Sequence, residues 1–79
     1  MININELRVG SIYEGNSLNR RKIIAFWKIS MGRPDRKVKS ANGAIVEYVW
    51  VDDSGNELSK TLKCEASTFV KWANETDSK

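Results

Sequence analysis

No histidine occurs among the 79 residues, and cysteine and proline appear once each, as Cys64 and Pro34. The missing imidazole removes the commonest general base near neutral pH and the commonest metal ligand. A lone cysteine without histidine cannot complete a structural zinc site or an intrachain disulfide. Small secreted domains ordinarily need disulfide staples, so cysteine usage favours the cytosol. A serine nucleophile would have to use lysine or carboxylate as its base, and no motif arranges one. These absences point to a binding module rather than an enzyme, with no cofactor and no metal expected.

Long apolar runs are missing too. The longest, residues 23–27 and 49–51, are far too short to cross a bilayer, so no membrane partner is expected. The start, Met1-Ile2-Asn3-Ile4-Asn5-Glu6, has no basic segment leading into an apolar run and so does not read as a signal peptide. With that, the sequon Asn74-Glu75-Thr76 reads as coincidence.

What is present suits a small folded domain. The chain is 41% hydrophobic and 29% charged, enough for a core and unlike a disordered segment. Its length predicts a single domain spanning residues 1–79. Residues 7–13 read as a short strand with Gly10 as a bend, and residues 14–19 are dense in turn formers. Isoleucine and aromatics predict a strand over residues 20–29. Residues 30–43 read as a long, flexible polar loop holding the turn signals Gly32-Arg33-Pro34-Asp35 and Asn42-Gly43. Residues 44–51 form the clearest strand. After a turn at residues 52–56, residues 57–64 alternate, with Leu58, Leu62 and Cys64 on one face. Residues 65–74 predict a short helix with Ser67 as N-cap and Ala66, Phe69, Val70 and Ala73 at helical spacing. The polar end, residues 74–79, is expected to fray.

This order predicts a mainly β fold: a small SH3-like, strongly bent antiparallel sheet, or a partly open barrel, of four to five strands with a short C-terminal helix. Residues 37–39 and the N-terminus are the candidates for the fifth strand.

Charge is segregated along the chain. Residues 20–39 hold Arg20, Arg21, Lys22, Lys28, Arg33, Arg36, Lys37 and Lys39 against Asp35 alone, a net +7. The remainder has five basic and nine acidic residues, a net −4, so the total of +3 hides a dipolar molecule. Basic side chains on a strand start and a hairpin loop can follow a phosphate backbone and gain from counterion release. The candidate binding residues are therefore Arg20, Arg21, Lys22, Arg33, Arg36, Lys37 and Lys39, with Trp27 adding base stacking if it faces outward. The bland alternative is a solvated loop protecting a sheet edge. An acidic or nucleic-acid-binding protein surface would be served equally well.

Hydrophobicity is two-sided. Val46, Tyr48 and Trp50 form one register, expected inward, yet Ile45, Val49 and Val51 form another, interrupted only by Glu47. Residues 20–29 repeat the problem, with Ile23, Ala25, Trp27 and Ile29 against Ile24 and Phe26. The second face either serves a partner, including a second copy in a homodimer, or is covered by the helix with Phe69 and Trp72 as a lid.

Asp52-Asp53-Ser54-Gly55-Asn56-Glu57 carries three carboxylates but lacks calcium-loop spacing and reads as a turn. Cys64, in an apolar register, reads as a small buried hydrophobe.

Four segments together carry a resemblance: Leu7-Arg8-Val9-Gly10-Ser11-Ile12-Tyr13, Arg20-Arg21-Lys22-Ile23-Ile24, Val46-Glu47-Tyr48-Val49-Trp50 and Phe69-Val70-Lys71-Trp72-Ala73. In these the chain resembles small phage- and prophage-encoded SH3-like barrel proteins of unknown function. The resemblance implies a bacterial host cytoplasm and an accessory role, as a nucleic-acid binder or as an inhibitor docking on host enzymes or defence complexes. The long segment at residues 30–43 departs from the compact pattern of that class and marks itself as the element most apt to carry function.

Overall fold

The computed structural model describes residues 2–15 and 19–74. A 3-10 turn at Ile4–Glu6 opens it, followed by strands β1 (Ile12–Glu14), β2 (Arg20–Ser30), β3 (Arg33–Val38), β4 (Ile45–Val51) and β5 (Leu62–Glu65), and helix α1 (Ala66–Asn74). All the strand pairs are antiparallel, and the sheet is not closed into a barrel. The fold is thus mainly β with one short C-terminal helix, as the residue pattern predicts.

β2 organises the sheet because its β-branched and aromatic residues suit a strand paired on both edges. β4 runs along one edge, with Arg20 opposite Val51 and Trp27 opposite Ile45. The other edge is shared. β1 takes Arg20 to Lys22, and β3 takes Phe26 to Ser30. Because β3 and β4 flank β2 on opposite sides, residues 39–44 must cross from one edge to the other. Ala41 and Ala44 lie in the core beside Phe26, so the crossing runs over the core face.

A β-bulge resolves the two-sided pattern of β2. Ile23 opposes Tyr48 and Ala25 opposes Glu47, leaving Ile24 as the extra residue. Past it, the inward parity switches. Directly opposed residues share a face, so Ile23 and Phe26 join Tyr48 and Val46 on the core side, while Ala25 and Trp27 join Glu47 and Ile45 on the other. Simple alternation, which groups Ile23 with Ala25 and Trp27, fails here.

The core comprises Leu7, Ile23, Phe26, Ala41, Ala44, Val46, Tyr48, Ala66 and Phe69. α1 closes it through Ala66, Phe69 and Ala73, with Val70 partly buried, matching the expected helical stripe. Tyr13, Tyr48 and Trp72 meet Phe69, their ring centroids lying 5.3–5.7 Å away. Val46 and Tyr48 face inward as expected, and Trp50 sits half-buried at the end of that row, edge-on to Tyr48 and Trp72. The helix end is tied to the chain start: Ile2 N–H donates to Asn74 Oδ1 at 2.8 Å, and Asn74 Nδ2 donates to the Ile2 carbonyl at 3.0 Å.

Several expectations are corrected. Only Ile12–Glu14 of the early segment is a strand, because Gly10, at φ 88°, turns the chain just before it. Residues 30–43, expected as a loop, hold β3, since a two-residue turn at Met31 and Gly32 folds Arg33–Val38 back onto β2. Asn42-Gly43 does turn the chain, with Ala44 N–H donating to the Ala41 carbonyl, but it links strands on opposite sides of β2 rather than a paired hairpin. Of residues 57–64, only those from Leu62 onward pair with β4 as a strand, after a single bridge from Glu57 to Val51. Ser67 lies inside the first helical turn, because α1 already begins at Ala66. Phe69 and Trp72 cap the core face, not the second face, because α1 packs beside Tyr48 and Trp50. Asn74 is the last helical residue, and residues 75–79 of the expected tail lie outside the described residues.

Candidate functional site

The basic residues that sit together in sequence separate in space. Arg20, Arg21 and Lys22 begin β2, whereas β3 pairs with its far end. At about 3.3 Å per residue, Arg20 and Lys28 stand roughly 26 Å apart along the strand.

Two of the first three are committed to the fold. Arg20 bridges Glu14, at 2.8 Å, and Asp53. It lines an open hollow of about 710 Å³ shared with Trp50, Asp52, Asp53 and Leu58, a region of mixed charge. Arg21 follows the parity of Ile23 onto the core face. Its guanidinium carbon lies 4.0 Å from the centre of the Trp72 ring, 4.5 Å from Trp50, 4.6 Å from Tyr48 and 5.8 Å from Phe69. Ring faces are electron-rich, so four of them hold this cation within the protein. Lys22, on the opposite face, is half-buried and paired with Val49.

Trp27 lies on the sheet face turned away from α1 and is half-buried. Its indole N–H donates to Glu47 Oε1 at 2.8 Å, which pins the ring across β4. Lys37 of β3 and Lys63 of β5 each place an ammonium 5.7 Å from the ring centre. Lys63 was invisible as a site residue in sequence. Only the pairing of Lys63 with Glu47, which itself opposes Ala25, brings it across two strands to Trp27.

This second face is not an open apolar sheet. Ala25, Val49 and Val51 are buried within it, between the longer side chains of Lys22, Trp27 and Glu47.

The remaining candidates assemble on the β2–β3 hairpin. Arg33, Arg36 and Lys37 on β3 and Lys39 just after it are exposed, as is Lys28 on β2. Among the described residues none of these five makes an ion pair, in contrast to Arg20. Asp35 is the acidic residue between them. Beyond the Trp27–Ile45 pair, β4 ends, and Lys28 to Ser30 pair with β3 alone. A two-stranded ribbon therefore projects past the sheet by three residues, about 10 Å. Register places Lys28, Arg36 and, past an irregularity after Lys28, Arg33 on one of its faces and Ile29 and Pro34 on the other, while Lys37 opposes Trp27 at its root.

The acidic turn after β4 is held by its own backbone. Asp52 Oδ1 accepts N–H bonds from Ser54 and Asn56, each at 2.9 Å, and Asp52 Oδ2 accepts one from the Asn56 amide. The Asn56 bonds, chiefly its backbone N–H, hold the Asp52 carboxyl below the usual aspartate range. Cys64 is half-buried beside the core, and burial pushes its thiol pKa up, so it is protonated near neutral pH.

Among the described residues no group of three or more cysteine, aspartate or glutamate side chains is placed to hold a metal ion, and no helix is long and apolar enough to cross a membrane. No protein-family model, curated protein or solved structure matches the chain, so its functional reading rests on this geometry.

Proposed function

We propose that this chain is a non-catalytic nucleic-acid-binding module that grips phosphates with the projecting β2–β3 ribbon. The observation that carries the reading is the set of five exposed cations, Lys28, Arg33, Arg36, Lys37 and Lys39, gathered on the β2–β3 hairpin and its exit, none of which makes an ion pair among the described residues. Cations with no ion-pair partner among the described residues can replace the counterions of a polyanion, which makes binding sequence-tolerant and steeply salt-dependent. Trp27, with Lys37 and Lys63 beside it, supplies an aromatic surface at the root of the ribbon where a base can stack. Arg20 and Arg21 have structural duties in this reading and drop out of the phosphate-binding set.

The test is fluorescence anisotropy with labelled oligonucleotides at several salt concentrations, on the wild type and on the double variant Arg36→Glu, Lys37→Glu. Loss of two phosphate contacts on duplex DNA lowers the slope of log K against log salt by about 1.8. Because both side chains are exposed on an edge strand, thermal stability should stay within about 0.5 kcal/mol. Unchanged affinity in the double variant defeats the reading.

A second reading, docking on an acidic or nucleic-acid-binding protein of a bacterial host, is favoured by Leu58 and Leu62, which are 65% and 40% exposed on the β4–β5 side. A protein partner captured from bacterial lysate, surviving nuclease and lost in Leu58→Ser, would favour docking.

A further inference from the structure

Strand β3 divides its cations between two faces, and the division restricts the shape of the ligand. Lys37 opposes Trp27 and shares its face, whereas Arg36 and Arg33, opposite Lys28 and Ser30, lie on the other. β3 pairs only with β2, so its outer edge is unpaired among the described residues. A backbone that meets Lys37 and then Arg36 must bend round the edge of a single β-strand. Duplex DNA is stiff over about 50 nm and does not follow so sharp a turn, whereas a single strand does. Nor does the ribbon suit a duplex groove: past Lys37 the Trp27 side carries Ile29 and Pro34, leaving one wall of phosphate without a cation.

Trp27 is the second observation. Its ring is pinned by the indole N–H to Glu47, with the ammonium groups of Lys37 and Lys63 each 5.7 Å from its centre. Charge on this face is graded. Lys37 stands on the β3 side of Trp27, while Glu47 and Glu65 stand toward β4 and β5. That gradient keeps a phosphate at the β3 edge and turns its base inward over the indole. There Lys63 and Glu47 offer the polar rim of the base a donor and an acceptor. Only an unstacked base has a face free to lie on an indole; in a duplex the neighbouring bases cover it.

Resting on the nucleic-acid reading above, we propose that the ligand is a single strand. It lays one base on Trp27 and wraps its backbone over the β3 edge, from Lys37 to Arg36, Arg33 and Lys28.

The experiment titrates the protein with oligothymidine of about 12 nucleotides, within the range of small single-strand sites, and with oligouridine and a duplex of the same length. Tryptophan emission and salt dependence are followed together. One or both single strands should bind about tenfold tighter than the duplex and quench emission, whichever sugar is preferred naming the source as DNA or RNA. Trp27→Phe keeps a ring in the half-buried site and therefore folds; it should bind with little loss and without the quench. Trp50 and Trp72, on the α1 face, supply the unquenched background. Lys37→Gln and Arg36→Gln, both at exposed positions, should each lower the salt slope on the single strand by about 0.7. Equal or tighter duplex binding, a quench that is absent or that persists in Trp27→Phe, or an unchanged slope in either cation variant would overturn the single-strand path while leaving the polyanion reading in place. Absence of binding to any nucleic acid would overturn both.

Discussion

Arg21 and Arg36 are both arginines on strands of this sheet, and they should fail in opposite ways. Arg21 is surrounded by Trp72, Trp50, Tyr48 and Phe69 at 4.0–5.8 Å. A cation over one aromatic face contributes about 0.5–1 kcal/mol when exposed and about 2 kcal/mol when desolvated. Arg21 is half-buried, and four rings sharing one charge are not additive, so about 2 kcal/mol in total is a reasonable expectation. Arg21→Met removes the charge but keeps most of the apolar stem, isolating the cation–ring contribution from packing. For a domain of this size about 2 kcal/mol lowers the melting temperature by roughly 8–16 °C. Arg21→Lys keeps the charge and loses the planar stacking, so it should fall between the two.

The assay is urea unfolding followed by tryptophan fluorescence, which reports directly on Trp50 and Trp72, paired with oligonucleotide binding under native conditions. Arg21→Met should shift the unfolding midpoint and leave affinity and salt slope unchanged. Arg36→Glu should do the reverse. An Arg21→Met protein as stable as wild type would refute the cage as a source of stability, because it would mean that desolvation of the guanidinium cancels the ring attraction. A stable Arg21→Met protein that has lost binding would place Arg21 in the interface instead.

Two further expectations concern the fold around these sites. Gly15 is buried against the Trp72 indole, and a β-carbon there would fall inside the contact radius of the ring. Gly15→Ala should therefore destabilise by about 1–3 kcal/mol in thermal unfolding, and an unchanged melting temperature would rule out that close packing. At the β4–β5 turn, Asp52 has a folded pKa below its ordinary 3.8. A depressed carboxylate stabilises the folded state above the ordinary value and loses that contribution as pH falls through the depressed one. A carboxyl titration by NMR should thus give Asp52 a midpoint below 3.8, and the stability gap to Asp52→Asn should narrow on acidification. A midpoint at or above 3.8 would contradict the Asn56 and Ser54 hydrogen bonds.

Much of the fold was legible because local chemistry and tertiary packing agreed. Residues 20–29 and 45–51 are rich in β-branched and aromatic residues, and they are the two strands with the most extensive pairing. The helix was legible from the spacing of Ala66, Phe69 and Ala73, all of which are buried. Of β3 only the end was legible, through the candidate fifth strand at residues 37–39, because the sequence Arg-Pro-Asp-Arg-Lys-Val has the polarity and proline of a loop. An edge strand tolerates that composition, since its outer side needs no partner and its charges deter unwanted pairing. The turn that creates β3 was hidden for a related reason: Met31 is not a turn former, so nothing before Gly32 announced a hairpin. The Ile24 bulge was equally silent, because an extra residue in a ladder has no compositional mark.

The site was legible in composition and not in geometry. The net +7 of residues 20–39 is real, but strand parity and distant partners decide which charges remain available. Glu14 and Asp53 neutralise Arg20, the aromatic cage takes Arg21, and Lys22 lies half-buried at the far end of β2 from the hairpin. Five cations against Asp35 are left on the β2–β3 hairpin and its exit, a net +4, with Lys28, Arg33 and Arg36 lying beyond the end of β4 and Lys37 and Lys39 at its root. Charge density rather than total charge governs counterion displacement, so under the proposed reading the smaller set should bind a polyanion the more strongly. The same logic explains why Lys63, remote in sequence, belongs beside Trp27 while Arg20, only seven residues away, does not. Cross-strand register brings Lys63 to the indole, whereas seven residues of extended chain carry Arg20 about 23 Å from it. A variant that moved β3 out of register by one residue, without changing a single charge, would exchange the faces of Arg36 and Lys37 and should weaken binding as much as removing one of them.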